Sequence, residues 1–247
     1  MLYRITAKRR SKLRRVILDV ENISKSYQMG EIEVVALDNV SFQIFEGEFV
    51  VILGPSGSGK STLLNIMGGM DTPSSGRVMI NDEEITNYDD KQLTEYRRNK
   101  VGFVFQFYNI MASLTAEENI ELATEISKDP LDIEQVLKDV GLYERKDHFP
   151  SQMSGGEQQR VSIARAVAKN PDILLCDEPT GALDFKTGVS ILALLNKINK
   201  ASGKTVVVIT HNVSVGGMAD RVIKMRSGAI TEIIVNDHPE DPERIQW

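Results

Sequence analysis

"FVVILGPSGSGKSTLLNIMGG", residues 49–69, changes character twice within a short span. Phe49–Leu53 is an unbroken apolar run of strand length, the pattern of a strand covered on both faces. Residues 54–61, GPSGSGKS, carry three glycines and then the pair Lys60-Ser61. From Ser61 onward, Thr62 and an apolar series begin a helix. A strand, a G-x-x-x-x-G-K-[ST] loop and a helix in that order form a phosphate cradle. Gly54, Gly57 and Gly59 let the backbone close around a phosphate, and Pro55, Ser56 and Ser58 complete the loop. Lys60 supplies a point charge to the β- and γ-oxygens, and Ser61 is placed to ligate Mg²⁺. Nucleotide binding is the first functional statement that the sequence supports.

The rest of the chain is consistent with an α/β core around that loop. Short β-rich runs precede it ("VILDVENIS", "VVALDNVSFQIF") and follow it ("GRVMIND"). Beyond "VGFVFQ" the pattern turns helical, with Thr115 and Asp132 capping "AEENIELATEI" and "IEQVLKDVGL". Strand and helix then alternate through "DILLCDEP", "KTGVSILALLNKINK", "TVVVIT", "RVIKM" and "GAITEIIV".

Composition narrows the classes. With 41% hydrophobic and 26% charged residues the chain is not disordered as a whole. Its balance of 29 basic and 35 acidic residues, a formal charge of −6, argues against nucleic acid as a partner. No apolar run reaches the length of a membrane span, so any service to a membrane is rendered from outside the bilayer. Seven basic residues before Asp19 (Arg4, Lys8, Arg9, Arg10, Lys12, Arg14 and Arg15) mark a basic tail. It reads as a solvated end, with contact to anionic lipid or a transit-like segment as alternatives. The lone Cys176 lies in an apolar strand and reads as a small buried hydrophobe.

Two further stretches carry chemistry. "ILLCDEP" ends a buried strand with Asp177, placed to hold Mg²⁺ through its water shell, and Glu178, placed to orient or deprotonate an attacking water. Ordinary loop charges are the alternative reading of this pair. "MSGGEQQR", residues 153–160, opens a second glycine-rich helix N-terminus, where Ser154, Gly155 and Gly156 offer free backbone N–H groups to a phosphate.

Taken in order, these residues resemble the ATP-binding subunits of ABC transporters, from about Val16 to about Val235. "GPSGSGKS" resembles the Walker A loop, "VFQ" the Q-loop with Gln106, and "MSGGEQQR" the signature. "ILLCDEP" resembles Walker B, "GALD" the D-loop with Asp184, and "ITH" the switch histidine, His211. The resemblance implies an α/β P-loop NTPase (RecA-like) core with an antiparallel β subdomain and an α-helical subdomain inserted at about 107–160. It sets a basic N-terminal tail at 1–15, the ATPase domain at 16–235 and a C-terminal tail at 236–247. It also implies that two copies pack head to tail around ATP and Mg²⁺, each nucleotide lying between one Walker A loop and the other copy's signature. Gln106 then reaches the Mg²⁺ or the water, His211 the γ-phosphate, and Tyr27 the adenine, although a packed tyrosine is the simpler reading of Tyr27 by itself. Glu157 stands where the family usually has Gln, and its charge is unfavourable near a triphosphate unless it points away. His148 and His238 are expected at the surface.

Within the family, "VVALDNVSF", "GGMDTPSSG", "RRNKVGFVFQFYNI" and "TGALD" resemble the branch of the LolD, MacB and FtsE types, which serve lipoprotein release, macrolide export and cell division. The implied partner is an integral membrane permease with a large extracytoplasmic domain, which holds the ATPase peripherally at the cytoplasmic face of the cell membrane. The cluster Phe107, Tyr108, Ile110 and Met111 suits a permease helix, or else belongs to the insert's own core. A non-transport ABC ATPase acting on a nucleic-acid or ribosomal partner and a weakly hydrolysing cell-division scaffold are the alternatives. The cargo is not written in the sequence.

Overall fold

The computed structural model describes residues 15–245. The basic tail, apart from Arg15, and the last two residues lie outside them.

Two sheets organise the chain. The larger has six strands: β3 (Phe49–Leu53), β6 (Val101–Val104), β7 (Ile173–Asp177), β8 (Thr205–Thr210), β9 (Arg221–Arg226) and β10 (Ala229–Val235). Their spatial order is β10-β9-β3-β8-β7-β6. All neighbours run parallel except β10, which returns antiparallel on β9. The smaller sheet is the expected antiparallel β subdomain, with β1 (Val16–Met29), β2 (Ile32–Phe45), β4 (Ser75–Ile80) and β5 (Glu83–Glu84) in the order β2-β1-β4-β5.

The apolar strands of the large sheet feed two cores. Phe49, Val51, Leu174, Cys176, Val206 and Val208 face the helical side, while Val50, Ile52, Ile173, Leu175, Val207 and Ile209 face the β subdomain and α1 (Lys60–Met67). Alternation with both sides covered is why these strands carry no polar face. Burial pushes the Cys176 thiol pKa up, so it behaves as the hydrophobe its setting demands.

Between β6 and β7 lies the helical insert: α3 (Ala116–Thr124), α4 (Ile133–Asp139) and α5 (Gly155–Ala168). Thr115 and Asp132 cap α3 and α4 as expected; Thr115 and Glu118 form a reciprocal capping box. The last helix outruns the expected boundary at 160, because Val161–Ala168 continue to bury an apolar face. The sequence pattern gave no sign of α2 (Asp90–Asn99). Only Tyr96 of this helix is buried, and a capping box of Asp89 and Gln92 starts it in place of an apolar stripe.

Residues 236–245, within the segment set apart as a C-terminal tail, fold back onto the domain. The Asn236 side chain donates to the carbonyls of Gly216 and Ala219 at 3.0 and 2.6 Å. Ile245 enters the helical-side core at 3% exposure, next to α6 (Phe185–Ser202).

Candidate active site

The parallel strands bring the sequence-distant motifs to one edge. The GPSGSGKS loop leaves β3 there, His211 follows β8, Asp177 and Glu178 end β7, and Gln106 lies just past β6. With the order β3-β8-β7-β6, loop, histidine, acids and glutamine line up along the carboxyl ends of the strands, where open α/β sheets bind ligands.

The loop is shaped for a phosphate. Gly57 and Gly59 adopt φ of 76° and 94°, a left-handed region that side chains resist. A Cβ on Gly59 would come within 2.4 Å of the Ala36 carbonyl oxygen, so only glycine fits against β2. No side chain caps α1, which leaves its first N–H groups and positive dipole end to an anion. The Lys60 ammonium, largely buried, donates to the Gly54 and Pro55 carbonyls at 2.8 and 3.0 Å. Desolvation lowers its pKa, while Glu178 and Asp177 oppose that shift. The Ser58 hydroxyl is buried with no hydrogen-bond partner. Thr62 follows half-exposed on α1, with Pro55 and Ser56 exposed at the rim.

The Ser61 hydroxyl lies beside the Asp177 carboxylate. Burial raises the Asp177 pKa, the neighbouring Glu178 adds to the rise, and Ser61 and Lys60 oppose it. A hydroxyl and a carboxylate beside a phosphate loop are hard oxygen donors of the kind Mg²⁺ takes, with phosphate and water filling the remaining positions. Glu178 sits at φ 45° on the turn after β7. Its Oε2 accepts from the Thr210 hydroxyl at 3.0 Å, and its Oε1 lies 2.9 Å from His211 Nδ1. A carboxylate accepts, so Nδ1 carries a proton. A strained, over-determined acid at a strand end is the usual setting of a working carboxylate. Thr210, which the sequence reading did not single out, fixes its second oxygen; the only hint was a hydroxyl residue directly before His211.

Gln106 packs on the D-loop: a Cβ on Gly181 would lie 2.9 Å from its amide nitrogen. Tyr27 holds its hydroxyl on Asp71 at 2.6 Å, and the Lys25 ammonium lies 4.9 Å from its ring centroid. Its ring, 38% exposed, therefore remains open beside the phosphate loop rather than packed in a core. Asp184 stands at the start of α6. Its carboxylate caps α6, accepting from the Thr187 N–H and hydroxyl at 3.1 and 2.6 Å, and these bonds hold its pKa down.

The signature turn opens α5 in the helical insert. Ser154 caps the helix in a capping box with Glu157. The Glu157 carboxylate bends back to accept from the Ser154 N–H and hydroxyl, both at 2.8 Å, and lies 3.4 Å from Arg145. Those donors hold its pKa down, and its charge is neutralised within the turn. Gly156 packs on Thr187, where a Cβ would approach to 2.4 Å. Of the docking cluster, Phe107 and Met111 are exposed, whereas Ile110 packs on the insert's core and Tyr108 turns inward. His238 is exposed; His148 is half-buried, its Nε2 3.1 Å from Arg145.

A cavity of about 820 Å³ opens at the opposite edge, where Lys100, Asp172 and Lys204 precede their strands. Lys100 and Asp172 pair there at 2.9 Å, and none of the motif residues reaches it.

Comparison with known proteins agrees with this arrangement. The sequence matches the family described as "ABC transporter" over residues 37–181. It is 49% identical over 226 residues to an uncharacterized ABC transporter ATP-binding protein, MJ0796, of Methanocaldococcus jannaschii, covering 87% of this chain and 95% of that one. It is 44% identical over 232 residues to the macrolide export ATP-binding/permease protein MacB of Azoarcus, covering 92% of this chain and 35% of that longer one. The solved dimeric structure of MJ0796 bound to ADP and Pi superposes with a TM-score of 0.81 at 46% identity, covering 89% of this chain and 98% of that one. The chain belongs to the ABC transporter family, as one of its ATP-binding, ATP-hydrolysing cassettes.

Proposed function

We propose that this cassette closes on ATP as a head-to-tail homodimer and drives a separate membrane permease of the MacB or FtsX kind, with a large extracytoplasmic domain. The MacB relative supports that choice of partner, and the dimeric MJ0796 structure, described as a post-hydrolysis state with ADP and Pi, supports the cycle. Among the described residues no helix is long and apolar enough to cross a membrane. That fits a peripheral subunit held by its permease at the cytoplasmic face.

The residues divide the work. Tyr27 stacks the adenine, and the loop from Gly54 to Thr62 wraps the phosphates. Lys60 exchanges its two carbonyl partners for phosphate oxygens, a gain in charge-assisted hydrogen bonds. Ser61, Asp177 and Gln106 would hold Mg²⁺, which supplies neutralisation of the charge on the β- and γ-oxygens. Glu178 accepts a proton from the attacking water, while the Nε2 edge of His211 faces the γ-phosphate. Ser154, Gly155 and Gly156 of one copy complete the site of the other, and Asp184 steadies the adjoining turn through its cap.

The observation that carries this reading is Glu178, held at both oxygens by Thr210 and His211 at the same strand edge as the phosphate loop. Glu178→Gln is expected to lower turnover by at least about a hundredfold while retaining ATP. The variant should then persist as an ATP-bound dimer on size exclusion. Recovered from native membranes with ATP and Mg²⁺, it should bring a permease with a large external domain. Undiminished turnover removes Glu178 from its role, and recovery with ribosomes or DNA transfers the ATPase to a non-transport task.

A further inference from the structure

At the amino ends of the strands, away from every motif, the large sheet borders the cavity of about 820 Å³. Small-molecule sites commonly enclose about 300–1,000 Å³, so the space suits a metabolite-sized ligand. Three parts of the chain form its walls: Ile80 and Tyr88 at the edge of the β subdomain, Ser127 and Asp129 from the helical insert, and Asp172 and Lys204 from the large sheet.

The acids of these walls have donors of their own. Asp172 Oδ2 accepts from the Lys100 ammonium at 2.9 Å and from the Asn81 amide at 2.8 Å. Asp129 Oδ2 accepts from the Asn170 amide at 3.2 Å, Glu95 pairs with Arg98 and Lys128, and Glu83 accepts from the Tyr88 hydroxyl. Two ammonium groups are left with neutral oxygens alone. Lys169 donates to the carbonyls of Arg97 and Val101, and Lys204 donates to Asn170 Oδ1 at 2.6 Å. Among the described residues neither forms an ion pair. An ammonium has three N–H donors, so Lys169 keeps one and Lys204 two. Burial lowers the pKa of both, to about 8 at Lys169 with Arg165 adding to the fall; at Lys204, Lys100 adds to it while Asp172 and Asp129 oppose it. An anion beside them would restore the charged form that burial disfavours.

We propose that this cavity binds a phosphate dianion, free or carried on a small organic molecule, held by Lys169 and Lys204 on either side of Asn170. The donor set favours phosphate over carboxylate. Among the described residues no guanidinium lines the cavity to offer the planar fork that suits a carboxylate, whereas two point charges suit a tetrahedral oxyanion. Asn170 fixes their relation, since it follows Lys169 in the chain and its side chain holds Lys204. The volume left over, with Ile80 and Tyr88 on its wall, accommodates an organic body.

The test uses the full chain with Mg²⁺ and saturating ADP, which keep added phosphate out of the GPSGSGKS loop. Acetic anhydride at pH 8 acylates unprotonated amines, and peptide mass spectrometry reads the rate at each lysine. Inorganic phosphate should slow labelling of Lys169 and Lys204 at least about fivefold and saturably, while chloride at the same ionic strength should not. Lys204→Gln, which keeps a donor for Asn170, should raise the phosphate concentration for half-protection of Lys169 about tenfold or more and leave ATP hydrolysis within about twofold. Lys128→Gln, beside Glu95 at the rim, should change neither. If Lys204→Gln does not fold, Lys169→Met read by equilibrium dialysis of labelled phosphate should show the same loss. Glucose 6-phosphate separates the sources: stronger protection than by inorganic phosphate assigns the site to a phosphorylated metabolite, and equal or weaker protection to free phosphate. Protection seen only without ADP puts the anion in the GPSGSGKS loop and overturns the proposal. So does an absence of protection, equal protection by chloride, or protection undiminished in Lys204→Gln.

Discussion

At the scale of single residues, Thr210 has the sharpest consequence. Its hydroxyl is the donor to Glu178 Oε2, and a hydrogen bond to a charged group is worth about 1.5–3 kcal/mol. Thr210→Val keeps the volume and removes that donor, so kcat should fall about tenfold or more at nearly constant ATP affinity, measured by steady-state hydrolysis. Lys60 makes the complementary prediction: Lys60→Ala should weaken nucleotide binding itself by at least about tenfold in a fluorescence titration, since the charge that meets the phosphates is gone. Sequence order suggested Lys60, Asp177 and Glu178, each at a fixed offset from a strand or loop, and the family resemblance added His211. Neither supplied Thr210. That role arises from a contact between segments 32 residues apart, and no local pattern encodes it.

At the scale of elements, patterning was legible wherever one face is apolar and illegible where it is not. Strands β3, β7 and β8 announced themselves through unbroken apolar runs, and α3 and α4 through caps followed by periodicity. Helix α2 stayed hidden because its single buried residue, Tyr96, gives no period to read. At the end of α5, Lys169 donates to the carbonyls of Arg97 and Val101 at 2.9 and 2.8 Å, joining that helix to α2 and β6. Burial, with Arg165 adding repulsion, pushes its pKa down to about 8 from 10.5. Between those two values the unfolded chain holds a proton that the folded chain has released, so folding stability gains from this group as pH rises across the window. In Lys169→Met that gain disappears. Denaturant midpoints of both proteins, followed from pH 8 upward, should therefore diverge in slope rather than only in offset.

At the scale of the whole molecule, the C-terminal segment belongs to the fold. Ile245 is 3% exposed against the helical-side core, and emptying such a site costs about 2–5 kcal/mol. Ile245→Ala should lower stability by an amount in that range, read from urea unfolding. Truncation after Val235 should cost more, because it also removes the bonds of Asn236 to Gly216 and Ala219. A tail that reads as polar in sequence was legible only as polar; its one anchoring isoleucine declares itself once α6 stands beside it. The central sheet carries a different kind of consequence through Cys176, the sole cysteine of the chain, with no solvent exposure and a thiol pKa raised by burial. Thiolate is the species that reacts with maleimides and aromatic disulfides, so the intact protein should be blank to such reagents and modification should proceed only as fast as the sheet opens. The native sequence thus contains its own clock for core opening. It also offers a silent background on which a cysteine placed at Phe107 would be the one position to take a dye.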